Sequence, residues 1–117
     1  MPPVLKVHFY KLTAGGSEPV LDWLRAQNKA TKLALGGDIK TVEIGWPLGM
    51  PLVRKLDTGL WEIRSDIPAG IARILFTVVG SKMILLHAFV KKSDDTPKND
   101  LDLAKRRRDE VKKNGKV

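Results

Sequence analysis

Cysteine is absent, and histidine occurs only at His8 and His87. Disulfide staples, thiolate metal ligands and cysteine nucleophiles are therefore excluded. Without H-x-x-x-H or D-x-D-x-D spacing, the remaining candidates assemble no zinc or calcium site, and the reading is one of no metal and no cofactor. Gly15-Gly16 and Gly36-Gly37 lack the G-x-x-x-x-G-K-[ST] frame of a phosphate-binding loop. Long apolar runs are missing too. Met1-Pro2-Pro3-Val4-Leu5-Lys6 leads straight into a mixed segment, so no membrane span and no signal peptide are expected, and the cytoplasm is the default compartment.

Negative charge is the scarcer sign. Against 13 Asp and Glu stand 21 Lys and Arg, a formal charge of +8, and such an excess on a small chain invites nucleic acid or another acidic surface. A composition 43% hydrophobic and 29% charged is that of a globular protein and argues against disorder. The length predicts one domain over residues 1–117. No internal repeat or low-complexity linker interrupts it.

The strongest pattern lies between Leu60 and Lys92. Leu60–Asp66, Ile71–Val79 and Met83–Val90 are rich in β-branched and aromatic residues and read as three consecutive strands. Gly80-Ser81 supplies a two-residue turn between the last two. Counting outward from it sets Phe76 opposite Leu85, Ile74 opposite His87 and Arg73 opposite Ala88. A loop of Ile67-Pro68-Ala69-Gly70 sets Asp66 opposite Ile71 and Arg64 opposite Arg73. Side chains alternate between faces. Trp61, Ile63, Ile74, Phe76, Leu85, His87 and Phe89 then share an apolar face, while Glu62, Arg64, Arg73, Leu75, Leu86 and Ala88 share a mixed one. Like charges directly opposite on a sheet cost up to about 1 kcal/mol, so Arg64 and Arg73 need carboxylates, such as Glu62 and Asp66, or a bound polyanion to offset them.

Around this centre, Val4–Tyr10 reads as an opening strand that carries His8 partly exposed. Thr13-Ala14-Gly15-Gly16 breaks it. Ser17-Glu18-Pro19 marks a helix start running to about Gln27, with Val20, Leu21 and Leu24 as its stripe. A second helix from Lys29 to about Ile44 is expected to present Ala30, Leu33, Ala34 and Val42, weakened or kinked at Gly36-Gly37. Residues 45–51 are a loop, and Leu52–Leu56 a short strand from which either Arg54 or Lys55, but not both, joins Arg64 and Arg73. Thr96-Pro97 repeats the capping signal and opens a last helix from Lys98 to about Lys113, with Leu101, Ala104, Arg108 and Val111 on one stripe. Its Lys105-Arg106-Arg107-Arg108 run suits either phosphate contacts or a solvated, dipole-complementing face. The last residues, 114–117, are expected to fray.

Arginines and lysines projecting from a sheet can bind phosphodiesters and stabilise a phosphorane-like transition state. Cleavage of RNA through its own 2′-hydroxyl requires no metal, only cations at the phosphate, in-line geometry and proton transfer. Val53–Arg64, Arg73-Ile74-Leu75-Phe76, Leu85–Lys92, Thr96-Pro97 and Ala104-Lys105-Arg106-Arg107 together resemble the RelE/ParE toxin superfamily, most closely its HigB-like, phage-derived branch. The resemblance implies a compact RelE-like α+β fold, an antiparallel sheet packed by two amino-terminal helices with a carboxy-terminal helix. It also implies a toxin of a type II toxin–antitoxin module that cleaves mRNA on the ribosome and is held by a cognate antitoxin, often of helix-turn-helix type. Carried onto this chain, Arg64, Arg73 and Lys92 are the implied catalytic cations, and Arg54, Lys55 and Lys91 the substrate-binding ones. The tyrosine that often follows the final strand is missing, which leaves Glu62, Asp95 and His87 as candidate general bases. A ParE-like gyrase inhibitor and a non-catalytic RNA- or protein-binding module are the alternatives.

Overall fold

The computed structural model describes residues 2–12 and 15–114. Five strands, β1 (Lys6–Phe9), β2 (Val53–Asp57), β3 (Leu60–Ile67), β4 (Gly70–Val79) and β5 (Lys82–Lys91), form one sheet in the order β1-β5-β4-β3-β2. The β2–β5 meander is antiparallel, as the short loops between its strands require. β1 departs from the expected all-antiparallel sheet and runs parallel to β5. The chain leaves β1 through helices α1 (Pro19–Arg25) and α2 (Lys29–Gly45), which carry it across the sheet to β2 at the opposite edge, and the meander then brings β5 back alongside β1 in the same direction. The Thr13-Ala14 part of the expected strand break and the fraying of residues 115–117 lie outside the described residues.

Both faces of the sheet are core, which the reading of one apolar and one mixed face did not foresee. On one face Ile63, Ala72, Ile74, Phe76, Met83 and Leu85 are buried beneath α1 and α2. Trp46, Trp61 and Phe76 meet there with ring centroids 4.9 to 5.9 Å apart and tie the 46–52 connection to the sheet. On the other face Leu60, Leu75, Ile84 and Leu86 are covered by α3 (Lys98–Asn114) through Ala104 and Val111. The Ala104, Arg108 and Val111 stripe of α3 therefore faces as its spacing indicated.

α2 is one unbroken helix. Its amino end is capped by Asn28, whose side chain accepts from the Thr31 N–H at 2.8 Å. Gly36 and Gly37 neither break nor end it, although each costs a helix interior about 1 kcal/mol relative to alanine. The inward stripe is Thr31, Leu35, Ile39 and Val42 rather than Ala30, Leu33 and Ala34. The stripe of Leu35, Ile39 and Val42 buries more apolar volume against the sheet than Ala30, Leu33 and Ala34 would, and it turns Leu33 outward at 68% exposure.

Register divides into one success and one correction. Arg64 pairs with Arg73 and Asp66 with Ile71, as loop counting gave. In the β4–β5 hairpin, Val79 pairs with Lys82 and Phe76 with Leu85, but the next pair is Leu75 with His87, so Leu86 is an extra residue in a β-bulge. Beyond it Ile74 faces Ala88 and Arg73 faces Phe89. His87 and Phe89 accordingly leave the α1/α2 face and join the α3 face. Without the bulge a polar imidazole would enter an apolar core unpaired, at a cost of about 1–3 kcal/mol. The bulge carbonyl of Leu86 is met by Arg107 Nη1 at 2.7 Å.

Candidate functional site

Two adjacent cross-strand rows on the α3 face hold the polar residues. One runs Arg54, Glu62, Leu75, His87 and the next Arg64, Arg73, Phe89. Strand alternation places Arg54 with this group, while Lys55 pairs with Trp61 on the opposite face and stays exposed. That resolves the choice between the two neighbours. Lys91 pairs with Ile71, one alternation beyond Arg73 on the same face, and is exposed. Lys92 lies past the strand end beside Gly70, exposed and with no ion-pair partner among the described residues. The structure thus brings together Arg54, Arg64 and Arg73, and leaves Lys55, Lys91 and Lys92 outside the group.

Glu62 is wholly buried and sits at the centre of the polar contacts. Its Oε1 accepts from Arg64 Nη1 at 2.8 Å and its Oε2 from Thr96 Oγ1 at 2.7 Å. With both oxygens engaged it is a positioning group, which weakens its case as a base. Thr96 therefore spends its hydroxyl on Glu62. The sequence had read it as an N-cap for α3.

The connection between β5 and α3 passes over the arginines. The Asp94 carbonyl accepts from Arg54 Nη1 and Arg64 Nη1, each at 3.3 Å, and Asp94 Oδ1 lies 3.4 Å from Arg64 Nη2. Arg73 Nη1 donates to the Asp95 carbonyl. The side chain of Arg73 is otherwise unsatisfied: it is fully buried, its guanidinium lies 5.6 Å from the centroid of Phe89, and Nε and Nη2 have no hydrogen-bond partner. Burial, the largest influence, lowers its pKa, and Glu62 opposes the change. A guanidinium remains charged throughout the physiological range all the same.

His87, brought to this face by the bulge, lies 2.6 Å through Nε2 from Asp100 Oδ1 in the first turn of α3, and its ring is 5.6 Å from that of Phe89. An ionised Asp100 accepts the Nε2 proton, which leaves Nδ1 as the basic nitrogen. Phe89 consequently touches both the imidazole and the Arg73 guanidinium. Asp95, the third candidate base, is exposed and engages Arg73 through its carbonyl. Phe89, Asp94, Thr96 and Asp100 were not singled out as site residues in the sequence, since each gains its position only from the bulge or from the chain crossing after β5.

Half of the basic run on α3, Arg107 and Arg108, is structural. Arg107 holds the bulge carbonyl and lies 5.1 Å from the Tyr10 ring, and Arg108 binds Asp57 at 2.6 Å and the Thr58 carbonyl at 2.8 Å. Tyr10 donates to Glu110 at 2.9 Å, and burial with that carboxylate raises its pKa. Among the described residues no group of His, Asp and Glu could hold a metal ion.

A sequence model of the family described as phage-derived protein Gp49-like (DUF891) matches residues 22–109. The chain belongs to that family. Gp49-like proteins group with the RelE-like toxins of type II toxin–antitoxin modules, and an antitoxin is the partner this membership implies. No curated protein matches the chain. The matched span of this Gp49-like chain begins in α1 and ends in α3, so it contains the whole arginine site. No helix among the described residues is long and apolar enough to cross a membrane.

Proposed function

We propose that this Gp49-like chain is a HigB-like toxin that cleaves mRNA on the ribosome, without a metal, through the 2′-hydroxyl of the RNA. The observation that carries the reading is the Arg64–Arg73 cross-strand pair with Arg54 beside it, in which a fully buried guanidinium keeps two donors unpartnered. A phosphodiester supplies acceptor oxygens for those two free donors and adds negative charge where Glu62 and Asp94 face three guanidinium groups. In the reaction the 2′-oxygen attacks phosphorus, the bond to the 5′-oxygen breaks, and a 2′,3′-cyclic phosphate and a 5′-hydroxyl result. His87, oriented by Asp100, takes the 2′ proton on Nδ1, and the 5′-oxygen is protonated as it leaves. Arg54, Arg64 and Arg73 stabilise the charge on the phosphoryl oxygens. Lys91 and Lys92, exposed at the open end of the sheet, extend the cationic track for flanking phosphates.

The carbonyls of Asp94 and Asp95 occupy the guanidinium donors that a phosphate would use, so RNA enters as this connection moves aside. That same cover supports a second reading, a binding module with no cleavage. Induction of the chain in cells separates the two. The enzyme arrests growth and leaves transcripts cut with new 5′-hydroxyl ends, and Arg73→Met removes both effects while the protein remains folded. Growth arrest by the wild-type chain with intact transcripts would overturn the nuclease reading, and a supercoiling assay with purified protein would then test the gyrase alternative.

A further inference from the structure

The outer side of α1 and α2 carries a feature that neither the core nor the arginine site explains. Two adjacent glycines sit in the middle of α2, where glycine destabilises a helix, and neither has a positive φ. A Cβ built at Gly36 or Gly37 meets nothing within 4 Å. Packing within the chain therefore does not require either residue to be small.

Gly36 instead forms part of the floor of a groove of about 190 Å³ between the two helices, lined with Leu24, Arg25, Lys32 and Ile39. The groove floor is chiefly apolar, and Leu33, one turn before Gly37, is exposed on the outer side of the same helix. Its rim is basic. Arg25 and Lys32 are exposed, Lys29 and Lys40 continue the same side of α2, and none of the four has an ion-pair partner among the described residues. Two acidic side chains of α2 are turned inward: Asp38 is bonded to Ser65, and Glu43 accepts from the Val7 N–H at 3.0 Å. The helix pair thus offers an apolar slot with cations around it.

We propose that this groove is a docking site for the antitoxin, which inserts one or two aliphatic side chains over Gly36 from a segment whose acidic residues pair with Arg25 and Lys32. The mainly apolar floor favours a peptide over RNA, since phosphates have no use for it, and the basic rim sets the sign of the peptide's charge. The site lies on the sheet face opposite the arginine rows, so such an antitoxin is anchored away from the RNA-binding surface. The partner rests on family membership. The placement of its contact rests on the groove and the glycines.

The test uses the full chain and the product of the small reading frame adjacent to its gene, with binding followed by calorimetry. Gly36→Leu fills the slot. Because the added Cβ meets nothing within 4 Å and the change removes a helix-interior glycine, the variant is expected to melt at or above the wild-type temperature while binding the antitoxin about tenfold more weakly or worse. Lys32→Glu is expected to weaken binding and to flatten its salt dependence. Arg73→Met serves as the control and binds normally. Unchanged affinity in both Gly36→Leu and Lys32→Glu overturns the proposal, as does a wild-type chain that fails to bind the neighbouring product. Loss of ribosome association with antitoxin binding intact overturns it in favour of an RNA contact. Binding is read without cleavage, so a failure of the nuclease reading leaves this result distinguishable.

Discussion

Replacing Arg73 with methionine is expected to leave the protein as stable as before, or more so, while abolishing the RNA cleavage proposed for it. A truncation to alanine is the less informative variant, because Arg73 is fully buried rather than on an exposed face and alanine would leave a cavity. Methionine fills a similar volume without charge. Two unpartnered buried donors disappear, which relieves about 1–3 kcal/mol for each. Lost in exchange are the hydrogen bond to the Asp95 carbonyl, worth about 1.5–3 kcal/mol for a charged donor, and a cation–π contact of about 0.5–2 kcal/mol with Phe89. A sulfur–aromatic contact restores about 0.3–1.5 kcal/mol of the latter. Glu62 keeps Arg64 and Thr96, so no orphaned carboxylate is created. The like-charge pairing with Arg64, up to about 1 kcal/mol, is relieved. Taken at mid-range, these contributions sum to about 2 kcal/mol of stabilisation. Urea unfolding of the two proteins measures it, with equal m-values as the check that the states compared are the same. Destabilisation beyond about 3 kcal/mol, the cost of breaking a satisfied buried pair, would show that Arg73 belongs to a structural network and would refute its assignment as a waiting phosphate site.

Thr96→Val removes the tie from the β5–α3 connection to Glu62, and faster proteolysis within residues 92–97 together with tighter binding of a short labelled RNA is the expected outcome; slower proteolysis would contradict it. His87→Gln is expected to lower the rate of transcript cleavage by about 10²-fold or more with RNA affinity retained, as measured in single-turnover assays. Arg107→Ala strips the bulge carbonyl of its partner and is expected to cost about 1–3 kcal/mol in urea unfolding. Asp57 titrates below its ordinary value because Arg108 donates to it. Its contribution to stability is therefore fully present above the unfolded pKa of about 3.9 and is lost as pH falls through the lower folded value, and Asp57→Asn should flatten the stability profile in that acidic window.

What was legible in the sequence depended on local counting. Arg64 and Arg73 were placed side by side because the connection between their strands is short and both partners lie within a few residues of it. His87 was misplaced because the same count, carried past Leu85, crosses an inserted residue that has no local signature. Leu86 is one apolar residue among several, and only the Arg107 contact from α3 and the pairing of His87 with Asp100 make the bulge the better solution. The α2 stripe failed for a different reason. Apolar residues occur on more than one side of that helix, and the choice between Leu33 and Leu35 is made by the sheet beneath. Thr96 illustrates a third kind of failure, in which a strong local signal, hydroxyl before proline, is overridden by a buried carboxylate that the chain brings from 34 residues away.

The connectivity itself explains why the arginine cluster is covered. β5 ends at Lys91 near the end of the sheet that carries Arg64 and Arg73, and α3 must begin at Lys98 and return across the same face to reach Ala104 and Val111. The intervening residues pass over the guanidinium row and meet it with the carbonyl oxygens of Asp94 and Asp95. Two tethers hold that crossing, Thr96 on Glu62 at one side and Asp100 on His87 at the other. Access to the arginines and the anchoring of the first turn of α3 are consequently one equilibrium: a phosphate that displaces the Asp94 and Asp95 carbonyls loosens the connection, and a change that loosens the first turn of α3 exposes the arginines. In the proposed mechanism the tether at Asp100 is also the group that orients His87, so opening the site too far would release the proposed base, and cleavage would require the connection to yield at Asp94 and Asp95 while Asp100 stays in place.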